Sequence, residues 1–311
     1  MAAQGGASKP GRSHTESMPP MFPLVSKLGL GVAQFGLDGG SPQRGRAPEA
    51  EVRVIRAVAA RSGMRFLDAG AASGHAEAVI GAVMPRPSSF RITVRAARGD
   101  RGPDYVEAEA KASLARLGVT SADAIMIQCA GDLFAPWGPQ LWDRVRHLRD
   151  VGLFARIGIS AYASDDPAGL ARRFQPDVIQ APASLLDQRL LNNGALAAVR
   201  ELGVEVHLRS IFLNGLLFLP PDRVPSEVRA AASRLSRARR LIMEGRSDPL
   251  QAGLGFALSR PEANAVIVGA ATASELTAVI AAASSPPPDL DWDDMALDEP
   301  QAFDPPRWAV A

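Results

Sequence analysis

The chain has a single cysteine, Cys129, so no internal disulfide can form. No apolar stretch is long enough to span a membrane. The opening residues, Met1 to His14, lack the apolar core that a secretory signal needs. These absences lead to the expectation of a cytoplasmic protein without membrane insertion. An excess of charge is also missing: the net charge of +1 gives no general pull toward nucleic acid or acidic membranes.

What is present is 47% hydrophobic and 22% charged residues over 311 positions, ordinary for a globular chain with a full-sized core. Barrels of roughly 250 residues fold as single domains, so one domain plus tails suits this length. Residues 1–22 are rich in Gly, Ser and Pro and are expected to form a disordered arm. Residues 23–284 form the expected domain. Residues 285–311 are proline-rich and acidic, and Trp292 and Trp308 lead us to expect a strap packed on that domain.

Short β-like segments are expected at 28–32, 65–69, 90–94, 124–127, 155–159, 178–180, 204–208 and 265–268. Most are rich in Val, Ile, Leu or Phe, as parallel strands buried on both faces should be. Helical spacing fills the intervals at 49–61, 103–117, 137–151, 167–174, 193–202, 225–243 and 274–283, and a further helix begins near His75. Eight such repeats predict a single-domain (β/α)8 TIM barrel. The alternative, a doubly wound open sheet, needs Gly-x-Gly-x-x-Gly after its first strand, and Gly29, Gly31 and Gly36 have the wrong spacing. In a barrel the active site lies at the C-terminal strand ends. That directs attention to 32–34, 68–73, Arg95, 128–129, 160–162, Gln180, 209–215 and 269–272.

Several of these ends carry motifs. Asp68 is followed by a small-residue loop, Gly74 and Glu77. Ser113-Leu114-Ala115-Arg116-Leu117-Gly118 precedes Asp123. Gly152 to Ser160 reads Gly-Leu-Phe-Ala-Arg-Ile-Gly-Ile-Ser, and Pro176-Asp177-Val178-Ile179-Gln180 follows. Arg209-Ser210-Ile211-Phe212-Leu213-Asn214-Gly215-Leu216-Leu217 and Val266-Ile267-Val268-Gly269-Ala270 complete the set. In order and spacing these resemble the aldo/keto reductase superfamily from about residue 28 to about residue 284.

The resemblance implies a nicotinamide cofactor and a catalytic Asp, Tyr, Lys and His, which fall on Asp68, Ser73, Arg95 and Gln128. Only the aspartate is kept. A reduced carbonyl must be protonated as it forms, by a group whose pKa can be brought near neutral. A serine hydroxyl needs a neighbouring base to act, Arg95 carries a permanent charge, and Gln128 cannot titrate. An ordinary carbonyl reductase built this way should be slow or inactive. For the cofactor, the resemblance points to Gly31, Val32, Ala33, Asp68, Ser160, Gln180, Arg209, Ser210, Leu213, Gly215, Gly269, Ala271, Thr272 and Glu275. No Lys or Arg follows Gly269 to meet a 2′-phosphate, so NAD(H) is expected over NADP(H). No metal site is read from the sequence.

Other features have plainer readings. His75 is expected on a first helical turn facing solvent or loop, Cys129 as a small buried filler, and the arginines from Arg234 to Arg246 as the solvated face of an outer helix. Asp68 either caps its turn or pairs with Arg95. The whole resembles the KidO-type NAD(H)-binding cell-division regulators of bacteria. That resemblance implies control of division or the cell cycle, with a tubulin-like division GTPase and a cell-cycle histidine kinase as partners and recruitment to the division site. The alternative is an NAD-dependent oxidoreductase with rearranged chemistry on a sugar or small carbonyl substrate, with Ser73, His75 or a water carrying the proton.

Overall fold

The computed structural model describes residues 24–36, 47–70, 75–224, 232–297 and 303. The expected arm at 1–22, Ser73 and Trp308 lie outside the described residues. Eight parallel strands pair in chain order, and the last pairs with the first to close a barrel. They are β1 (Leu28–Gly31), β2 (Phe66–Gly70), β3 (Arg91–Arg95), β4 (Ala122–Ile127), β5 (Phe154–Ser160), β6 (Val178–Pro182), β7 (Glu205–Arg209) and β8 (Ala265–Gly269). The architecture is the TIM barrel that the apolar runs predict, and each strand lies within two residues of its expected span.

The surrounding helices are α1 (Glu49–Arg61), α2 (Ala76–Val83), α3 (Pro103–Leu117), α4 (Gly138–Asp150), α5 (Pro167–Phe174), α6 (Arg189–Asn192), α7 (Ala195–Glu201), α8 (Ala232–Glu244), α9 (Pro249–Ser259) and α10 (Ala273–Ala283). None among the described residues is long and apolar enough to cross a membrane.

Several residues that carry the sequence motifs turn out to hold the fold together. Glu77 of α2 is fully buried, and its Oε2 accepts from Arg116 Nε at 2.7 Å. Gly81 on the same helix lets α3 approach: a Cβ there would stand 2.2 Å from the Arg116 carbonyl oxygen. Gly118 ends α3 with φ +69°, the left-handed cap that glycine takes without a Cβ penalty. At the N-terminal strand ends, Asp123 pairs with Arg91 at 3.4 Å and also with Arg156, while Arg156 meets Glu205 at 2.7 Å. His207, buried beside Phe66, faces Glu205 at 3.3 Å. This charged layer closes the bottom of the barrel and leaves the opposite rim for chemistry.

The sequence reading missed α9. Its residues Ala252 to Leu258 are all buried, so no polar face marks it as amphipathic. A Cβ at Gly253 would meet the Phe212 ring at 2.9 Å, and one at Gly255 would meet Pro288 at 2.8 Å. The helix is thus sandwiched between the β7 loop and the segment after residue 285. The local signal that does exist is its cap: Asp248 accepts from the N–H of Leu250 and Gln251 at 2.8 and 2.9 Å.

Outside α9, Trp292 packs edge-to-face on Phe256 with ring centroids 5.6 Å apart. Leu297 N–H donates to the Leu186 carbonyl at 2.9 Å, and Arg189 lies 4.6 Å over the buried Phe303 ring. Helix α8 buries Leu235, Ala238 and Ile242 against this second core. Of its arginines, Arg237 pairs with Asp294 at 2.8 Å, and Arg239 donates to the Leu216 and Leu217 carbonyls at 3.0 and 3.2 Å. The remainder of the span expected to be helical, 225–231, lies outside the described residues.

Candidate active site at the strand ends

Asp68 sits in the middle of β2, level with Thr93 of β3, and Arg95 ends β3 one inward-facing step higher, beside Gly70. The Arg95 guanidinium grips the Asp68 carboxylate at two points: Nη2 to Oδ2 at 2.8 Å and Nε to Oδ1 at 3.2 Å. Gln180 of β6 reaches across the barrel. Its Nε2 donates to Asp68 Oδ2 at 3.1 Å, and its Oε1 accepts from Arg95 Nη2. The result is a closed ring of three side chains.

Burial by itself pushes the Asp68 carboxyl up. The charge and hydrogen bonds of Arg95, helped by the Gln180 amide, outweigh that and hold it below the usual carboxylate range. Burial likewise lowers Arg95, and Asp68 outweighs it in the other direction. Near neutral pH the ring therefore carries one fixed anion and one fixed cation. It can stabilise charge but does not exchange protons.

The other expected residues divide into groups. Gln128 follows β4, half-buried, outside the ring. Ser160 is buried at the end of β5, where the Ala161 N–H donates to the Gln180 carbonyl at 2.9 Å. Arg209 ends β7 and stacks 4.3 Å over the Tyr162 ring. Its hydrogen bonds to Ser210 Oγ and the Ala161 carbonyl are long, 3.4 Å each, and its buried Nε has no partner. Burial lowers its pKa; the charge of Arg95 acts in the same direction and Tyr162 opposes.

Beyond it the chain turns sharply. Ser210, Leu213 and Gly215 have φ of +57°, +50° and +87°. Two non-glycine residues in the left-handed region within four positions are costly, and such strain clusters at ligand clamps. Arg239 of α8 and the second core pin this loop in place.

At the β8 end, Gly269 is exposed and lies under the Gln34 amide; a Cβ at 269 would stand 2.7 Å from Gln34 Nε2. Gln34 Oε1 is itself buried without a partner. Gly31 is half-buried and Ala33 exposed, whereas the side chain of Val32 is wholly buried, so Val32 presents only its backbone. Thr272 and Glu275 cap α10: Thr272 Oγ1 accepts from Glu275 N–H at 3.1 Å, and Glu275 Oε2 accepts from Ala271 N–H at 2.8 Å. Glu51 of α1 adds a second carboxylate, accepting from Ala273 N–H at 2.6 Å.

Two residues at this rim lie in spans that the sequence reading pointed to but were given no role there. Gln34 is one. The other is Tyr162, since the chain has two tyrosines and Tyr105 is occupied by Arg101 on α3, 3.6 Å over its ring. Tyr162 lies within electrostatic reach of both Arg95 and Arg209. Its position directly after β5 was the available signal. His75 is exposed at the start of α2, as its plain reading expects. Cys129, expected as a buried filler, is half-buried.

Residues 27–296 match the model of the Aldo/keto reductase family, and the chain belongs to that family. Among solved structures, the aldo-keto reductase AKR11C1 from Bacillus halodurans, in its holo form, is 20% identical with a TM-score of 0.69. That alignment covers 86% of this chain and 89% of that one. A protein from Pseudomonas aeruginosa described as an aldo-keto reductase is 16% identical with a TM-score of 0.64, covering 86% of this chain and 95% of that one. At such identities the likeness concerns the fold. No curated protein matches the chain.

The family binds nicotinamide cofactors. The rim fits such a group: Gly269 and Gly31 leave the backbone bare, the loop after β7 carries three left-handed residues, and the buried Gln34 Oε1 lacks a partner. Ser160, Gln180 and Arg209 are the residues that would hold the nicotinamide end, and the 210–215 loop and the β8 end those that would hold the phosphates and adenosine.

Proposed function

We propose that this protein is a nicotinamide-binding, oxidoreductase-like regulator that lacks ordinary carbonyl reductase activity. The observation that carries the reading is the closed Asp68–Arg95–Gln180 ring. With Arg95 rather than lysine against Asp68, the position beside the reacting carbonyl holds a cation that cannot shuttle a proton. Without Tyr and His equivalents at Ser73 and Gln128, general acid catalysis worth about two to four decades of rate is missing.

The preferred cofactor is NAD(H). Glu51 and Glu275 crowd the N-terminus of α10 with negative charge, which disfavours a 2′-phosphate there. The link to bacterial cell division, through a tubulin-like GTPase and a cell-cycle histidine kinase, rests on the resemblance of the Arg209 to Leu217 loop and of the substituted catalytic positions to the KidO-type regulators.

Titration of the full chain with NADH and NAD⁺, followed by fluorescence, tests the first part. Saturable NADH binding with no steady-state oxidation across a panel of aldehydes, ketones and sugars is the expected result. Robust turnover that disappears in Arg95→Ala would overturn it. Co-sedimentation with the polymerised division GTPase, with and without NADH, tests the second part; binding indifferent to NADH removes the regulatory link.

One observation favours a second reading, an NAD-dependent oxidoreductase with rearranged chemistry on a sugar or small carbonyl. Tyr162 supplies a phenol to the rim from the loop after β5, with Arg209 4.3 Å over its ring and Arg95 within electrostatic reach. In this reading Tyr162 hands its hydroxyl proton to the substrate oxygen while Arg95 holds the developing charge. Turnover in the wild type that is abolished in Tyr162→Phe, with NADH binding intact, distinguishes it.

A further inference from the structure

The charges at the rim do not balance. Arg95 is matched by Asp68 at 2.8 Å, and no second carboxylate among the described residues pairs with Arg209. Arg209 is half-buried, and a cation partly withdrawn from water gains from a counter-charge that meets it. What Arg209 has are two contacts of 3.4 Å, a contact with Tyr162, the charge of Asp68 at a distance, and a buried Nε that donates to nothing.

The geometry also limits what the missing partner is. The Tyr162 ring braces one face of the guanidinium at 4.3 Å, which fixes the plane of its donor fork. The side chain turns back toward the Ala161 carbonyl and Arg95, so it points over the ring of Asp68 and away from the β8 end, where the adenosine would lie. A planar fork held in that way matches a planar two-oxygen anion.

We propose that Arg209 anchors the carboxylate of a small organic acid, bound over the Asp68–Arg95–Gln180 ring beside the nicotinamide. The inference rests on the cofactor-binding reading, and makes the protein respond to a carboxylate together with NADH. The carboxylate meets the guanidinium of Arg209, and Arg95 adds a second positive charge on the inner side.

The experiment is calorimetric titration of the NADH-saturated full chain with oxalate, a planar acid with no reducible carbonyl, and in parallel with its neutral diamide, oxamide. Oxalate is expected to bind and oxamide not to. Arg209→Gln should weaken oxalate by about thirtyfold, the loss of one charge-assisted pair, and weaken NADH by much less. The same variant should raise the unfolding midpoint, because it removes a half-buried charge that Arg95 repels. Arg209→Met serves as the second variant if the glutamine form folds poorly.

Equal oxalate binding by wild type and Arg209→Gln would sink the proposal. So would competition between oxalate and NADH, which would assign Arg209 to the dinucleotide's own phosphates. Arg209-dependent oxalate binding to a protein that binds no NADH would remove the cofactor reading and leave the anion site standing.

Discussion

Arg95 holds Asp68 from the neighbouring strand by two parallel hydrogen bonds, and the carboxylate it covers has only 6% of its side chain exposed. Removing one partner of such a pair strands the other. Arg95→Ala is expected to cost about 3 kcal/mol or more in urea unfolding, because Asp68 is left buried and uncompensated. Asp68→Asn combined with Arg95→Gln should recover much of that loss. A single variant as stable as the wild type would mean that water replaces the guanidinium.

The same pairing sets a pH dependence. Asp68 is held below its ordinary range by Arg95 and Gln180 against the effect of burial. Glu205 is strongly lowered, first by its hydrogen bond with His207 and then by Arg156 against burial. A depressed folded-state pKa stabilises above the unfolded value and is lost as pH falls through the folded one. Stability should therefore be level from neutral pH down to about 5 and fall below about 4, where unfolded carboxylates take up protons. Glu205→Gln should flatten that fall in acid unfolding curves.

Gly81 sets two rules against each other. Alanine inside a helix is favoured over glycine by about 1 kcal/mol. At this site, however, the new Cβ would stand 2.2 Å from the Arg116 carbonyl oxygen and 2.9 Å from Leu117 Cα, backbone atoms that cannot step aside. Gly81→Ala is expected to lower stability by about 1–3 kcal/mol. A higher melting temperature would show that α2 and α3 separate easily.

The carboxylates at the N-terminus of α10 predict cofactor choice. NADH should bind more tightly than NADPH by about tenfold or more, and Glu51→Gln should narrow that ratio while keeping the hydrogen bond to Ala273 N–H. Paired fluorescence titrations read both values. An unchanged ratio would place the adenosine ribose away from this helix.

Much of the fold was legible because parallel strands buried on both faces leave apolar runs, and the helices between them leave a 3.6-residue stripe. The stripe fails at α9, which is covered on one side by the β7 loop and on the other by Pro287 and Pro288. Glu77 and Arg116 were visible as parts of motifs, but their ion pair joins two helices whose approach depends on Gly81. Tyr162 and Gln34 were visible only as residues near strand ends.

The sequence by itself determined the barrel, the rim where chemistry would occur, and the residue types brought there: one aspartate, two arginines, glutamines and a phenol. Which of them meet was decided by tertiary structure. Gln180 bonds to Asp68 across 112 positions of chain, and Arg209 lacks a carboxylate that Arg95 already occupies. Ion pairing and desolvation depend on distances of a few ångströms between residues far apart in sequence, and only closure of the barrel sets those distances.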